Sequence, residues 1–527
     1  MSTPKLTIHG AGLTVTGSCF EYAFGDHRLL IDCGLFQGSR SLEALNREPL
    51  AFDPKRIDGV LVTHAHIDHS GLLPRLAAEG YSGPIWCTSP TRDLLEVMLP
   101  DAARIQEQDV ARRNRRADRA DEQAIEPIYT LDDAQRAIDL IRTVEFQKPF
   151  TPCAGVNARL WNAGHILGSA SIELVAGGVR TIFSGDIGPE HKSFLADPSS
   201  PAGFDHVICE STYGDRERDD ITAEQRRSTL EAEVTAALKR GGNLIIPAFA
   251  LERTQELLLD LATLINSGRL GKIYVYIDSP LATKATKVFW RHRNDLEDLG
   301  GGEVFRHPAF HFVESTTESV HLNSVSGAVI LAASGMCEGG RIRHHLFHNL
   351  PRRDSTVLFV GFQARGSLGR AIVDGAERVR ISGSDVAVRA QIRRIDSYSA
   401  HADRSELLQW IGGRAPVAGS VFLNHGEAGA IEALRRDLQQ DFSSVIAPEI
   451  GEVYELPAGA PARRLATGRA DLRDAIKCDW QNAYGDFAAN LKRDLQRIKS
   501  DRKRSEAIAR MRDVIDQYAG YRERRRG

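Results

Sequence analysis

No CxxC pair occurs in the 527-residue sequence: its seven cysteines (19, 33, 87, 153, 209, 337 and 478) are scattered and odd in number. That excludes a zinc ribbon and speaks against a disulfide framework, leaving reduced thiols in a cytoplasmic setting. No apolar run is long enough to span a bilayer, and the opening MSTPKLTIHGAG has no signal-peptide core, so no membrane association is expected. The formal net charge is only -3, which gives no bulk sign of a nucleic-acid partner. The length exceeds one ordinary core, so two domains, or one carrying a large insertion, are expected.

What the chain does contain is a dense cluster of ligands. VTHAHIDH (62–69) places three histidines and an aspartate directly after an apolar strand. The i, i+2 spacing lets His64 and His66 point to the same side of an extended turn, while Asp68 and His69 diverge and can serve a second ion. Imidazole and carboxylate without thiolate suit zinc, with manganese or iron as substitutes. Further donors follow strands and adjoin glycines: His165 in GHILGS, Asp186 in SGDIG and His425 in NHG. Singly, such residues are more often hydrogen-bonded structural groups or turn formers. In this order beside HAHIDH they compose a two-metal hydrolytic site.

The first 60 residues read as short strands, with GVLVT (59–63) another strand and a helical, charge-dense stretch over about 91–148. Within it, RRNRRADR reads as a solvated helix face rather than a phosphate contact. Over about 211–395, apolar strands alternate with helices, the pattern of a doubly wound, mostly parallel sheet whose strands stop in small or polar loops. Ligands of such folds sit at that edge. Motifs resume at SYSAHAD and LNHGE. The expected organisation is a first fold in 1–210, an insertion in 211–395, a completion in 396–460 and an extension in 461–527.

LLIDCG, HAHIDH, GHILGSA and FSGDIG, in this order, resemble the motifs of the metallo-β-lactamase superfamily. CESTYG, SAHAD and NHGE around the long insertion narrow the resemblance to the β-CASP nucleases, which include the endonuclease of mRNA 3′-end cleavage and many prokaryotic ribonucleases. It covers roughly residues 5 to 455. It implies an αββα sandwich with an inserted β-CASP α/β domain. By the same resemblance His64, His66 and His165 hold one metal, Asp68, His69 and His425 the other, and Asp186 bridges them. Asp32 supports the ligand loop through hydrogen bonds.

Two divalent ions about 3.5–4 Å apart acidify a bridging water and stabilise attacking and leaving oxygens of a phosphodiester. His401 is the candidate general acid, the resemblance implies that Glu210 hydrogen-bonds and orients it, and Asp68 joins them in the catalytic set. Ser334 and Gly335 in ASGMCEGGR, Arg365 in GFQARGSLGR, and Ser399 are candidate contacts for flanking phosphates. In the family's DNA cross-link repair branch the last histidine motif tends to be aliphatic, whereas the RNA branch keeps histidine; His425 favours RNA. The expectation is a ribonuclease with two Zn2+, endonucleolytic with room for 5′-exonuclease activity, acting on single-stranded RNA. The alternatives are a DNA nuclease or small-molecule hydrolase on the same site, or a non-catalytic RNA-binding scaffold.

Charge is segregated along the chain. Residues 461–527 carry 18 basic and 10 acidic side chains, against 49 and 60 in residues 1–460. Helically spaced apolar residues (Leu491, Leu495, Ile498, then Ile508, Met511, Ile515) predict a basic helical arm. It could offer its basic face to RNA, or pack on the body or a second copy as a homodimer contact.

Overall fold

The computed structural model describes residues 2–117, 124–218, 221–297, 304–361, 363, 367–472, 491, 495 and 497–523. Two sheets pack face to face. The eight-stranded sheet includes Lys5–Ile8, Phe20–Phe24, His27–Ile31 and Gly59–Leu61; the seven-stranded sheet includes Ala170–Ala176, Val179–Phe183, Phe204–Glu210 and Val417–Asn424. Leu6, Phe20, Leu29 and Leu61 of the first meet Ile172, Leu174, Phe183, Ile208 and Phe422 of the second in one apolar layer. Helices cover the outer faces; Leu407, Trp410, Ile431 and Leu434 close the second sheet. This is the αββα sandwich expected.

Chain order explains how an insertion fits. The strand Phe204–Glu210 ends where the insertion begins, and Val417–Asn424 pairs with it in parallel, Glu210 opposite Asn424. The chain therefore leaves and re-enters the sheet at adjacent positions, so the intervening segment disturbs no pairing. Within it, Phe310–Phe312, Val275–Ile277, Val329–Ala332, Leu244–Pro247, Thr356–Phe359 and Gln391–Arg394 form a six-stranded sheet in that order, each strand parallel to its neighbours. The four inner strands (VYI, VILA, LIIP and TVLF) are apolar and largely buried, as a sheet covered on both faces requires, whereas the edge strands FHF and QIRR are partly exposed. The two lobes are not independent: Ile166, Leu167 and Phe194 share an apolar cluster with Leu257, Leu258 and Phe289 of the inserted lobe.

The 91–148 stretch is less uniformly helical than its composition suggests. Ser89–Ala117 and Leu131–Asp139 are helices, and Ile141–Thr143 then joins the first sheet as its edge strand. At the other end, Arg463–Ala466 pairs antiparallel with Val453–Glu455, which carries that sheet past residue 460. Asp501–Glu523 is a helix, and its Ile508 and Ile515 are exposed rather than docked on the body. Leu491, Leu495 and Ile498 fall in a stretch of which few residues are described.

Candidate metal centre

Parallel pairing puts the carboxyl ends of several strands on one rim. His27–Ile31 and Gly59–Leu61 run parallel and deliver Asp32 and the HAHIDH turn. Val179–Phe183, Phe204–Glu210 and Val417–Asn424 run parallel and deliver Asp186, Glu210 and His425. The connection before Ala170–Ala176, antiparallel to its neighbour, brings His165 to the same rim. Two residues here adopt left-handed backbone despite having side chains, Asp32 (φ 61°) and His425 (φ 49°). Such conformations persist only where surrounding contacts enforce them, and they concentrate at functional sites.

The donors form two groups. Ligand atoms of His64, His66, His165 and Asp186 lie within 4.8 Å of one another, as do those of Asp68, His69 and His425. His66 Nδ1 stands 3.1 Å from both His64 Nε2 and His165 Nε2. In the second group His69 Nε2 and His425 Nε2 are 3.2 Å apart, and Asp68 Oδ2 is 3.6 Å from His425 Nε2. Asp186 is grouped with the first set and also reaches the histidines of the second. Its Oδ2 lies 3.6 Å from His64 Nε2 and 3.5 Å from His165 Nε2, and its Oδ1 lies 3.1 Å from His69 Nε2. That Oδ1 is buried and, among the described residues, has imidazole nitrogens beside it but no well-aligned hydrogen-bond donor.

These observations fit divalent cations. Nitrogens at about 2.0–2.1 Å from zinc in tetrahedral array stand roughly 3.3 Å apart, close to the separations seen. Burial drives His64 and His165 well below the ordinary imidazole value and His66 down to about 4, so their lone pairs are free of protons. Neutral imidazoles aiming lone pairs at each other repel, and a cation between them removes the conflict. His69 goes the other way: burial opposes its charge, but Asp186 and Asp32 raise it well above the ordinary value. A metal in place of the proton on Nε2 would satisfy Asp186, while the Nδ1–H stays with Asp32.

Around the ligands a further layer fixes each ring. Asp32 accepts from His69 Nδ1 at 2.7 Å, from the Thr63 N–H at 2.8 Å and from Ser18 Oγ at 3.0 Å. His165 Nδ1 bonds the carbonyl of Ala400 at 2.8 Å, which leaves Nε2 for metal and ties the ligand to the SAHAD loop. His401 Nδ1 lies 3.2 Å from Glu210 Oε1, and Glu210 also accepts from the backbone N–H groups of Ile187 (2.6 Å) and Thr212 (3.2 Å). Burial lowers the His401 pKa, but the Glu210 and Asp186 carboxylates outweigh it and leave it raised.

The softer candidates divide. Ser334, Gly335 and Ser399 lie in loops of the inserted lobe or beside it; Gly335 is buried, and its carbonyl accepts from Gln363 Nε2 at 3.0 Å. Arg365 lies outside the described residues. Sequence reasoning missed Thr63 and Lys192. Lys192 Nζ donates to the carbonyl of His165 at 2.6 Å and pairs with Glu252 of the inserted lobe at 2.6 Å, both side chains only 2% exposed. Its context, GPEHKSF, has no periodicity or spacing to single it out. Thr63 could have been suspected, since it immediately precedes the first ligand.

Fold and donor set together define a metallo-hydrolase. The metallo-beta-lactamase superfamily model matches residues 14–221, the Beta-Casp domain model 254–372, and the model of the Zn-dependent metallo-hydrolase RNA specificity domain 385–448. Over 455 residues the chain is 37% identical to Ribonuclease TTHA0252 of Thermus thermophilus, covering 85% of this chain and 99% of that protein. It is 31% identical to the transcription termination factor FttA of Methanosarcina mazei, over 81% of this chain and 67% of that one. With an RNase J-like protein of Methanocaldococcus jannaschii it shares 29% identity over 80% of this chain and 92% of that protein. A crystal structure of a protein of unknown function from Enterococcus faecalis V583 has the same fold, with TM-score 0.52 and 15% identity, over 86% of this chain and all of that one. The chain belongs to the β-CASP group of the metallo-β-lactamase superfamily and is a metal-dependent hydrolase.

Proposed function

We propose that this protein is a ribonuclease that hydrolyses phosphodiester bonds of single-stranded RNA at a two-zinc centre, endonucleolytically and with 5′-exonuclease activity open to the same site. The observation that carries this reading is Asp186, whose two oxygens divide between two histidine groups while His401 and Glu210 stand beside it. In this reading His64, His66 and His165 would hold one ion and Asp68, His69 and His425 the second, with Asp186 available to both. When bound, the ions supply a water acidic enough to attack at neutral pH and positive charge for the phosphate oxygens.

The protein's own groups do the rest. Asp32 and the Ala400 carbonyl hold His69 and His165 in the ligating orientation. Glu210, anchored by two backbone N–H groups, takes His401 Nδ1 and leaves Nε2 to protonate the departing ribose oxygen. Ser334, Gly335 and Ser399 offer polar atoms and backbone to flanking phosphates. The 37% match along nearly the whole of a named ribonuclease supports RNA as substrate. Six described cysteines are free, which suits the cytoplasm.

Purified, zinc-loaded protein given labelled single-stranded RNA, DNA of matched sequence and a chromogenic lactam tests the reading. RNA should be cut far faster than DNA, with the lactam untouched. Preferential DNA cleavage or lactam turnover would assign the centre to another substrate.

A further inference from the structure

Between Gly242 and Ala262 every residue but one is buried; the exception is Phe249, 45% exposed. It sits in the turn after Leu244–Pro247, at the carboxyl edge of the inserted sheet. Thr254 fixes this turn by donating its N–H (3.3 Å) and Oγ1 (2.7 Å) to the Phe249 carbonyl. The same turn is tied to the catalytic lobe. Glu252 pairs with Lys192, which holds the carbonyl of His165, and the Arg253 guanidinium lies 5.8 Å from the ring centre of Tyr398, three residues before His401. The ring rests on Gly335, where an added Cβ would meet its Cδ2 and Cε2 at 2.8 Å. Gly335 thus admits the ring from one side, and the exposed surface remains for something else.

We infer that Phe249 is a stacking platform for a base of single-stranded RNA, placed beside the Ser334–Gly335 loop. Recognition of unpaired RNA joins donors for the backbone to aromatic faces for the bases, and stacking tolerates any sequence because every base has a π-face. An aromatic ring held open by an otherwise buried turn, next to a glycine-rich loop, supplies the second half. This inference rests on the ribonuclease reading and adds a contact to the bases, which that reading does not contain.

The test compares native protein with Phe249→Ala and Phe249→Tyr on an oligoribonucleotide and on the same strand with single abasic positions scanned along it. For native protein, one abasic position should weaken binding by roughly 5- to 150-fold, the range for loss of one stacked base. Phe249→Ala should lose a similar factor on intact RNA, mainly in KM, and become indifferent to that abasic position. Its salt dependence should stay as in native protein, since no phosphate contact is lost. Phe249→Tyr should retain discrimination. Metal content and melting temperature confirm that the variants are folded. If Phe249→Ala binds intact RNA like native protein, or still senses the abasic position, the platform is elsewhere while the nuclease reading stands. If native protein neither binds nor cuts RNA, both readings fall.

Discussion

A histidine that gives up a proton and a histidine that holds a metal fail differently when truncated. His401→Ala should keep both metals, counted by elemental analysis, and lose about 10²–10⁴-fold in turnover. His66→Ala should lose metal and activity together; a metal-depleted His401 variant would place that residue among the ligands. Asp32→Asn removes the charge facing His69 Nδ1, and zinc affinity measured by competition with a chelator should fall about 10–100-fold. Unchanged affinity would reduce Asp32 to a turn former. The donor cluster was legible in the sequence because HAHIDH, GHILGS and SGDIG combine donor type, spacing and glycine in ways that few other demands produce. Lys192 was not, because its role depends on a carbonyl 27 residues away and a carboxylate in another lobe.

At the level of elements, the ligand loops work because glycines let backbones touch. A Cβ on Gly34 would stand 1.7 Å from the carbonyl oxygen of Asp68, and one on Gly188 would stand 1.8 Å from that of Gly164, next to His165. Gly34→Ala should therefore push the Asp68–His69 turn outward, lowering both the melting temperature and the zinc content. A variant with full zinc content would show that the turn can shift without cost to the ligands. The alternation of strand and helix across 211–395 was readable from apolar runs, since a sheet buried on both faces leaves little choice of residue. The edge strands Ile141–Thr143 and Arg463–Ala466 were not readable. They are short, and the second is entirely exposed, so neither carries a hydrophobic pattern.

Across the whole molecule, the buried Lys192–Glu252 pair joins the two lobes. Burial raises the Glu252 carboxyl to about 7, against the opposing pull of Lys192. A carboxyl raised by folding favours its protonated form in the folded state, so its effect is mildest below the ordinary carboxylate value and costs stability as pH climbs toward 7. Melting temperatures from pH 5 to 7 should fall for native protein relative to Glu252→Gln; parallel curves would contradict this. The basic extension belongs to the same scale. Because Arg463–Ala466 completes a sheet, truncation should follow residue 472 rather than 460. If the arm meets RNA, the truncated protein should bind more weakly with a shallower salt dependence and keep its turnover at saturating RNA. An unchanged salt slope would leave the arm a packing element. The central claim is tested most directly by cleavage of end-labelled single-stranded RNA, with native protein and Asp186→Ala compared at measured metal content. Native protein should carry two metals per chain and cut the RNA, and Asp186→Ala should lose metal and leave it whole. Intact RNA with fully loaded native protein, or equal cleavage by Asp186→Ala, would contradict the account.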